Sequence, residues 1–262
     1  RVSYAGGYRA PQAFDEDMHI AIVGGKRVRI RLADDLREER SHSVSLSADL
    51  YHTFGKVQTN LLVEGFYTIL DDVFALRDMD DAADGGKVKE RYNGSGATVR
   101  GFNVEGRAAF TRWFELQAGV TLQQSRYKEP EFWSEDAEVP PVRRMFRTPD
   151  AYGYFTASFK PVRNFTADLS GTCTGSMLVQ HMAGSGVAQD VAVSTPSFFD
   201  MNIRLSYDVR IYKEITMQLY GGVQNLFNAY QKDFDKGVDR DSGYIYGPSL
   251  PRSWFVGAKF SF

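Results

Sequence analysis

The amino-acid sequence predicts an all-β fold, a segment of a transmembrane antiparallel β-barrel with about ten strands. The last nine residues, Trp254-Phe-Val-Gly-Ala-Lys-Phe-Ser-Phe262, alternate between apolar and polar side chains and end on an aromatic residue. A strand that shows one face to hydrocarbon and the other to water has to alternate in this way. The same two-residue period recurs along the chain, and short connections alternate with long ones.

Ten segments follow the two-residue period, and most are long enough to cross a bilayer at the tilt that a barrel imposes. They are residues 1–6, 42–52, 56–70, 88–110, 114–127, 150–161, 164–175, 197–208, 214–226 and 252–262. A soluble β-sandwich would also give alternating strands, but its strands are usually about 5 to 6 residues long. The length of these segments favours the membrane barrel.

Charged residues fall on one face of the predicted strands. In residues 199–208, Phe, Met, Ile, Leu and Tyr alternate with Asp, Asn, Arg, Ser and Asp. An arginine on the lipid face near the middle of the bilayer would cost about 2 to 4 kcal/mol. Arg107 and Arg204, which lie on the polar faces of their strands, are therefore predicted to face the lumen.

The connections between the strands alternate in length. Four are tight, at residues 53–55, 111–113, 161–163 and 209–213. Five are long and polar, at residues 7–41, 71–87, 128–149, 176–196 and 227–251. Short periplasmic turns and long extracellular loops are the barrel pattern. The sequence therefore predicts the outer membrane of a Gram-negative bacterium, with the C-terminus on the periplasmic side.

Composition excludes some classes of protein. The formal net charge is −2 with no clustered basic stripe, so no nucleic-acid partner is expected. Cys173 is the single cysteine, so no disulfide framework can form within the chain. No apolar run approaches the roughly 20 residues that a membrane helix needs. The first residue, Arg1, begins a strand-like run without an initiator Met, which predicts the C-terminal part of something longer.

Several motifs resemble those of TonB-dependent outer-membrane receptors of the haem, cobalamin and siderophore type. They are Tyr8-Arg-Ala-Pro11, Leu32-Ala-Asp-Asp-Leu36 with residues 37–41, Tyr92 to Gly106, Arg147-Thr-Pro-Asp150, Asn225-Leu-Phe-Asn-Ala-Tyr230 and Gly247-Pro-Ser-Leu-Pro-Arg-Ser253. Their order and spacing match from end to end. The second motif is a partial match, because it lacks the Asn-Pro pair of the family.

The resemblance implies about ten C-terminal strands of a barrel of about 22 strands around a folded plug. Residues 1–262 would then belong wholly to the barrel, and the signal peptide, TonB box, plug and earlier strands would lie outside them. An arc of ten strands leaves two unpaired edges that cannot face lipid, so a companion piece is expected to close it. The implied partners are outer-membrane lipid, the remaining barrel and plug, the TonB complex acting through the plug, and a small-molecule ligand or surface lipoprotein.

The function implied by the resemblance is energy-coupled import of a scarce, large solute such as haem, cobalamin or a ferric chelate. Tyr8 and Arg9 belong to the first family motif, and His19 lies between the first two motifs. Haem receptors of the family carry an iron ligand His there, and imidazole suits that iron. The alternative is a solvated loop histidine. Trp133, Tyr244 and Tyr246 are loop aromatics that could stack on a flat ligand, whereas Trp254, Phe260 and Phe262 are predicted to form the interfacial girdle.

An acid-rich loop gives a candidate calcium site. Its carboxylates form two pairs, each spaced two residues apart, as calcium ligands often are. They are Asp233, Asp235, Asp239 and Asp241. The loop does not complete an EF-hand pattern, and a solvated acidic loop is the alternative. The sequence predicts no cofactor.

Two other functions remain open at the sequence level. One is a self-contained ten-stranded outer-membrane protease or lipase, which would need paired Asp and His residues at the bases of adjacent loops. The other is a passive porin, which should show no receptor motifs. No nucleophile elbow, metalloprotease helix or phosphate-binding loop occurs in the sequence, so we expect no enzyme.

Overall fold

The computed structural model describes residues 1–12, 28–79, 87–134 and 136–261, and all of its regular elements are strands. The bounds are β1 Val2–Arg9, β2 Val28–Leu32, β3 Glu39–Phe54, β4 Val57–Asp71, β5 Phe74–Met79, β6 Lys87–Asn93, β7 Ala97–Phe110, β8 Phe114–Glu131, β9 Val142–Arg144, β10 Ala151–Phe159, β11 Phe165–Thr174, β12 Leu178–His181, β13 Val191–Ser194, β14 Phe198–Tyr212, β15 Ile215–Gln224 and β16 Ser253–Ser261. Within these ranges, no helix is long and apolar enough to cross a membrane.

Ten of these strands form one antiparallel sheet in the order β1-β3-β4-β7-β8-β10-β11-β14-β15-β16, with β9 added beside β8. The all-β fold and the number of barrel strands are therefore confirmed. The register pairs apolar residues with apolar residues across the sheet. Ala48 lies opposite Val63, Val63 opposite Val104 and Val104 opposite Val120. Such cross-strand pairs are the units that stabilise a sheet.

The apolar face of this sheet is the exposed face. Along β3 the serines at 43, 45 and 47 are half-buried, whereas the alternating Val44 and Leu46 are exposed, Leu46 by 64%. On the last strand Trp254 is 77% exposed and Phe260 is also exposed, as the girdle prediction requires; Phe262 lies outside the described residues. A β-sandwich would bury its apolar face instead. The side chains of the polar face are the more buried ones, and a barrel turns such a polar face towards its lumen.

The four tight connections lie within a few residues of their predicted positions, at residues 55–56, 111–113, 160–164 and 213–214. Each contains a residue in the left-handed region of backbone space. The positive φ angles are 63° at Gly55, 60° at Thr111, 71° at Asn164 and 40° at Lys213. Such angles match the twist of the flanking strands in a short hairpin. Beside one of these turns, the rings of Trp113 and Phe159 meet edge to face at 5.6 Å.

The prediction of one continuous strand over residues 88–110 is wrong. The structure has β6 and β7 there, separated by the segment Gly94-Ser-Gly96. Gly96 has a φ of 85°, and a Cβ there would lie 2.4 Å from the carbonyl oxygen of Leu70. Because only glycine tolerates that approach, the chain breaks at this point. Strand β6, which precedes this break, is not part of the barrel sheet. It pairs with β5 and β2 instead.

Four of the five long connections, predicted as long polar segments, also contain short strands, and the exception is residues 227–251. Strands β2, β5 and β6 form a three-stranded sheet, and β12 and β13 form a hairpin. Glu90 of β6 is buried in the small sheet, where Arg77 donates hydrogen bonds to it. Strands β2, β5, β12 and β13 were missed because they have only four to six residues, a length that does not separate a strand from a polar loop.

The ten-stranded sheet ends at β1 on one side and at β16 on the other. In the described part of the chain, the outer edges of these two strands have no partner, and the two strands do not pair with each other. Backbone groups at such edges need partners if they are to lie in lipid.

Candidate functional site

The long connections near the end of the chain build a folded unit at one end of the sheet, which we call the loop platform. It consists of the hairpin β12–β13 and the segment 227–250 that follows β15. Its core is formed by Val179 of β12, Phe198 at the start of β14, and the loop residues Tyr244 and Tyr246. The platform therefore has an apolar core of its own, outside the exposed apolar face of the barrel.

Tyr244 and Tyr246 both donate hydrogen bonds to one carboxylate. The hydroxyl of Tyr246 lies 2.6 Å from one oxygen of Asp233, and the hydroxyl of Tyr244 lies 2.8 Å from the other. Burial acts to raise the pKa of Asp233, but the hydrogen bonds from Tyr246, Tyr244, the backbone and Gln231 together outweigh it, so that this pKa is lowered overall. Burial, followed by the bond to Asp233, raises the pKa of Tyr246 to about 12 and raises that of Tyr244 further.

Alkaline titration should expose this arrangement. Tyrosine in an unfolded chain titrates near pH 10, whereas burial and the Asp233 hydrogen bond raise the pKa of Tyr246 to about 12. The contribution of Tyr246 to platform stability is therefore complete below about pH 10 and is lost as the pH rises towards about 12. We expect the difference in phenolate absorbance between the parent protein and Tyr246→Phe to develop above pH 10. A difference centred at pH 10 or below would contradict the burial of this hydroxyl.

His181 forms the second polar centre of the loop platform. Its ring stacks on that of Tyr244 with centroids 3.7 Å apart and planes within 3° of parallel. Its Nε2 lies 3.0 Å from both carboxylate oxygens of Asp235, and the side chains of both residues are buried. Asp235 also accepts a hydrogen bond from the backbone N–H of Asp241 at 3.0 Å. The pair joins the hairpin to the segment that follows β15.

The calcium hypothesis stays a prediction, and the contacts of the aspartates give them another role. Asp233 accepts hydrogen bonds from the hydroxyls of Tyr244 and Tyr246, and Asp235 faces His181. Asp241 accepts hydrogen bonds from the backbone N–H groups of Met182 and Gly243. Asp239 contributes its backbone carbonyl, which accepts a bond from the N–H of Ser185. Over the described ranges, no group of three or more His, Cys, Asp or Glu side chains could hold a metal ion.

Tyr8 and Arg9 lie on β1, at the other end of the strand order from the loop platform. Tyr8 is 81% exposed on the apolar face. Arg9 points to the polar face, 3.4 Å from Glu39, and its guanidinium lies 5.5 Å from the centre of the Phe74 ring. Arg91 lies 5.9 Å from the same ring. Of Tyr8 and Arg9, Arg9 is therefore the residue on the lumen side. His19 lies outside the described residues.

The aromatic residues predicted to stack on a ligand are mostly engaged within the protein. Tyr244 is 3% exposed and Tyr246 is 7% exposed, because both form the core of the loop platform. This burial leaves little of either ring for a ligand, contrary to the expectation from sequence. Trp133 is half-buried, donates a hydrogen bond to the carbonyl of Pro140 and meets the ring of Phe146 edge to face at 5.4 Å.

Sequence reasoning missed two residues that hold the platform. The sequence pattern did not single out His181, and it included Arg147 only as part of a motif. Arg147 has a φ of 55° and donates hydrogen bonds to the backbone carbonyls of Gly243 and Ile245. It thereby ties the connection before β10 to the segment 227–250. The motif gave a signal for Arg147, whereas nothing in the sequence pairs His181 with Asp235.

Below the loops, the polar face of the sheet carries a ladder of polar side chains. The hydroxyl of Tyr154 donates to Glu105 at 2.7 Å, and the amide of Gln117 donates to Glu105 at 2.8 Å. Asn103 accepts a hydrogen bond from Thr121 at 2.8 Å. These contacts join β7, β8 and β10 across the face that a barrel turns towards its lumen. A hydrated solute would meet a surface of amides, hydroxyls and carboxylates there.

The sequence and the fold were compared with known proteins. The family model described as "TonB dependent receptor-like, beta-barrel" matches residues 1–226. The chain belongs to this family, which comprises transport receptors of the Gram-negative outer membrane. A comparison with characterised protein sequences found no match.

Solved structures show the same fold. The chain is similar to the ferric-catecholate import receptor Fiu of E. coli K12, with 17% identity, a TM-score of 0.61 and coverage of 98% of this chain and 32% of that one. It is also similar to the ferric enterobactin receptor PfeA of Pseudomonas aeruginosa, with 15% identity, a TM-score of 0.63 and coverage of 98% of this chain and 37% of that one. For the copper transporter OprC, the identity is 13%, the TM-score is 0.62, and the coverage is 100% of this chain and 36% of that one. The chain thus spans about a third of the length of these proteins.

Proposed function

We propose that the chain forms the C-terminal part of the barrel of an outer-membrane receptor that imports a scarce, large solute with TonB energy coupling. The observation that carries the proposal is the family match over residues 1–226 on a sheet whose exposed face is apolar. The open edges at β1 and β16 are the places where the remaining strands would pair. The plug and the segment that binds TonB belong to the rest of such a receptor.

The orientation follows from the connections. The four hairpin turns lie at one end of the sheet, and the long segments that build the loop platform lie at the other. In outer-membrane barrels the short turns face the periplasm and the long loops face outside. We therefore place the loop platform at the cell surface and the end of β16 on the periplasmic side.

The solute belongs to the class of haem, cobalamin and ferric chelates. The similar structures named above include receptors for a ferric catecholate and for ferric enterobactin. In this chain, the loop platform and the small sheet β2-β6-β5 supply the rim, and the ladder around Glu105 supplies the lumen wall. The mechanism is capture at the rim, rearrangement of the plug driven by TonB, and passage along the polar wall.

Solute uptake by the full receptor tests the proposal. A strain without its own receptors is complemented with the full-length gene, and uptake of radiolabelled iron is measured with haem, a catecholate chelate and a hydroxamate chelate, and that of labelled cobalamin in parallel. We expect one solute to accumulate, and a protonophore or deletion of TonB to abolish the accumulation. Accumulation that persists without TonB would show a passive pore instead.

The matched control is the same receptor without its plug in a planar bilayer. It should conduct ions steadily, whereas the intact receptor should not, because the plug fills the lumen. Equal conductance of the two forms would contradict a plugged importer. Cleavage of peptide or lipid substrates by the intact receptor would favour the enzyme alternative.

A further inference from the structure

A small pocket lies where the polar face of the barrel sheet meets the loop platform. Its volume is about 240 Å³, below the range of about 300 to 1,000 Å³ that is typical of sites for whole ligands. Asp200 of β14 and Thr172 of β11 lie directly opposite each other and line it from the sheet. Phe198, Gly247 and Pro248 line it from the platform. The pocket therefore has room for one arm of a solute.

The carboxylate of Asp200 has an unused acceptor. Among the described residues, its Oδ1 is buried and has no hydrogen-bond partner. The nearest basic residue along β11 or β14 is Arg204, whose guanidinium lies 4.6 Å from the centre of the Tyr220 ring and donates to Gln218 at 3.0 Å. A buried carboxylate oxygen without a donor is costly. The pocket thus calls for a donor that these two strands do not supply.

Other aspartates on the same face of the sheet do have donors. Asp168 of β11 accepts a hydrogen bond from the hydroxyl of Ser158 at 2.6 Å. Asp208, eight residues beyond Asp200 on β14, accepts one from the amide of Gln218 at 2.8 Å. The unpaired oxygen of Asp200 is therefore a property of the pocket, and not of acidic residues on this wall in general.

The walls of the pocket combine acceptors with apolar surface. Thr172 and Thr174 each add a hydroxyl from β11, and Thr172 is exposed, so the pocket is open on the polar face of the sheet. On the platform side, Gly247 has a φ of 82°, and a Cβ there would lie 2.7 Å from the ring of Phe198. Because glycine permits this close approach, the platform and the aromatic ring together form an apolar wall opposite the acceptors.

The lining selects an ammonium group over other cations. An ammonium has three N–H donors and no acceptor, which matches the carboxylate of Asp200 and the hydroxyls of Thr172 and Thr174. A guanidinium has five donors in one plane, more than these acceptors satisfy. Calcium takes six to eight oxygen ligands, several of them from carboxylates, whereas Asp200 is the one acidic residue among the described residues of the lining.

We infer that this pocket binds a primary ammonium group carried by the imported solute, which is then a chelate with an alkylammonium arm. The ammonium donates hydrogen bonds to Asp200 and to the threonine hydroxyls, and the methylene groups of the arm lie against Phe198 and Pro248. The inference rests on the proposed function, which supplies the solute and turns the polar face towards the lumen. The pocket lies just below the loop platform, on the route from the rim into the lumen.

Ligand-observed NMR with the full-length receptor in detergent tests the pocket itself. The probes are n-butylammonium and n-butanol, which share a carbon chain and differ in the charged group. We expect the parent receptor to bind n-butylammonium at least about tenfold more tightly than n-butanol. Asp200→Asn should lose at least about tenfold in affinity for n-butylammonium, because it replaces a charge-assisted hydrogen bond by a neutral one. Thr172→Val, which removes one hydroxyl without changing the shape, should lose about threefold.

Asp208→Asn is the matched control. It removes the same charge from the same face of the same strand, about 26 Å from Asp200, and it should bind n-butylammonium like the parent receptor. Equal affinity of the parent and Asp200→Asn, or of the two probes, would overturn the inference. An equal loss in Asp208→Asn would show a general attraction of cations to the wall and would also overturn it.

Solute uptake separates this inference from the proposed function. The probes are iron-loaded ferrioxamine B, a trihydroxamate chelate with one free alkylammonium arm, and the same chelate with that amine acetylated. We expect the parent receptor to import the free form at least tenfold faster, and Asp200→Asn to lose this preference. Import of other solutes at an equal rate by the parent and Asp200→Asn would reject the pocket and keep the importer. Selective binding of n-butylammonium by a receptor that imports no solute would keep the ammonium site and reject the importer.

Discussion

Replacing Gly101 by valine is expected to remove most of the folded receptor from the outer membrane, whereas the same substitution at Gly106 is expected to leave it in place. Both glycines belong to β7, and both gain the same side chain. A Cβ at Gly101 would lie 2.3 Å from the carbonyl oxygen of Leu122 and 2.8 Å from the ring of Phe66. A Cβ at Gly106 would have nothing within 4 Å.

The physical reason is the backbone contact at Gly101. A flexible side chain can move aside, but the carbonyl of Leu122 belongs to β8, the strand paired with β7. Overpacking usually costs about 1 to 3 kcal/mol, and we expect at least the upper end of that range. Gly106 lies on the outward face, opposite Leu61 and Ala118, where added apolar surface contacts only lipid.

The measurement is the amount of full-length receptor that migrates in its folded form on a gel without heating. We expect Gly101→Val to reduce this amount at least tenfold relative to Gly106→Val. Total receptor in the cell, measured after heating, corrects for expression. Equal folded yields would show that β7 and β8 move apart without loss of pairing, and would refute the steric limit at Gly101.

Replacing Asp235 by alanine is expected to open the loop platform while the barrel stays folded. Asp235 accepts hydrogen bonds from the ring of His181 and from the backbone N–H of Asp241, and its side chain is buried. Removal of the carboxylate leaves both donors without their acceptor. Each buried group left unsatisfied costs about 1 to 3 kcal/mol, so the total is large for a unit whose core is formed by four residues.

Hydrogen exchange of the intact receptor measures this effect. We expect faster exchange in β12, in β13 and in residues 227–250, with unchanged protection of β7 and β8. Asp239→Ala is the matched control, because Asp239 contributes its backbone carbonyl to the platform. Slow exchange in the Asp235 variant, or equal acceleration in the Asp239 variant, would show that the buried pair does not hold the platform. Reduced capture of solute by Asp235→Ala alone would link the platform to uptake.

The prediction of ten strands from sequence succeeded where the two-residue period is long. Strands β3, β4 and β14 are fifteen or sixteen residues long, and one slip of register would move every one of their side chains to the opposite face. It failed at residues 88–110, where alternation continues across the Gly94–Gly96 segment into another sheet. A pattern in sequence does not report which partner strand receives the hydrogen bonds.

The candidate site was only partly accessible to the same reasoning. Tyr244, Tyr246, Asp233 and Asp235 were singled out as exposed groups for a ligand or a cation. The structure turns them towards each other and towards His181, more than fifty residues away along the chain. A loop sequence rich in aromatic and acidic residues looks the same whether those residues bind a ligand or form the core of the loop.

The sequence by itself determined the architecture: an all-β chain with one apolar face, tight turns at one end and long connections at the other. It could do so because the contrast between lipid and water acts on every residue of a strand and leaves a periodic pattern. The tertiary structure alone decided which loop residues meet and that β6 pairs outside the barrel sheet. These features depend on contacts between distant residues, which no local period encodes.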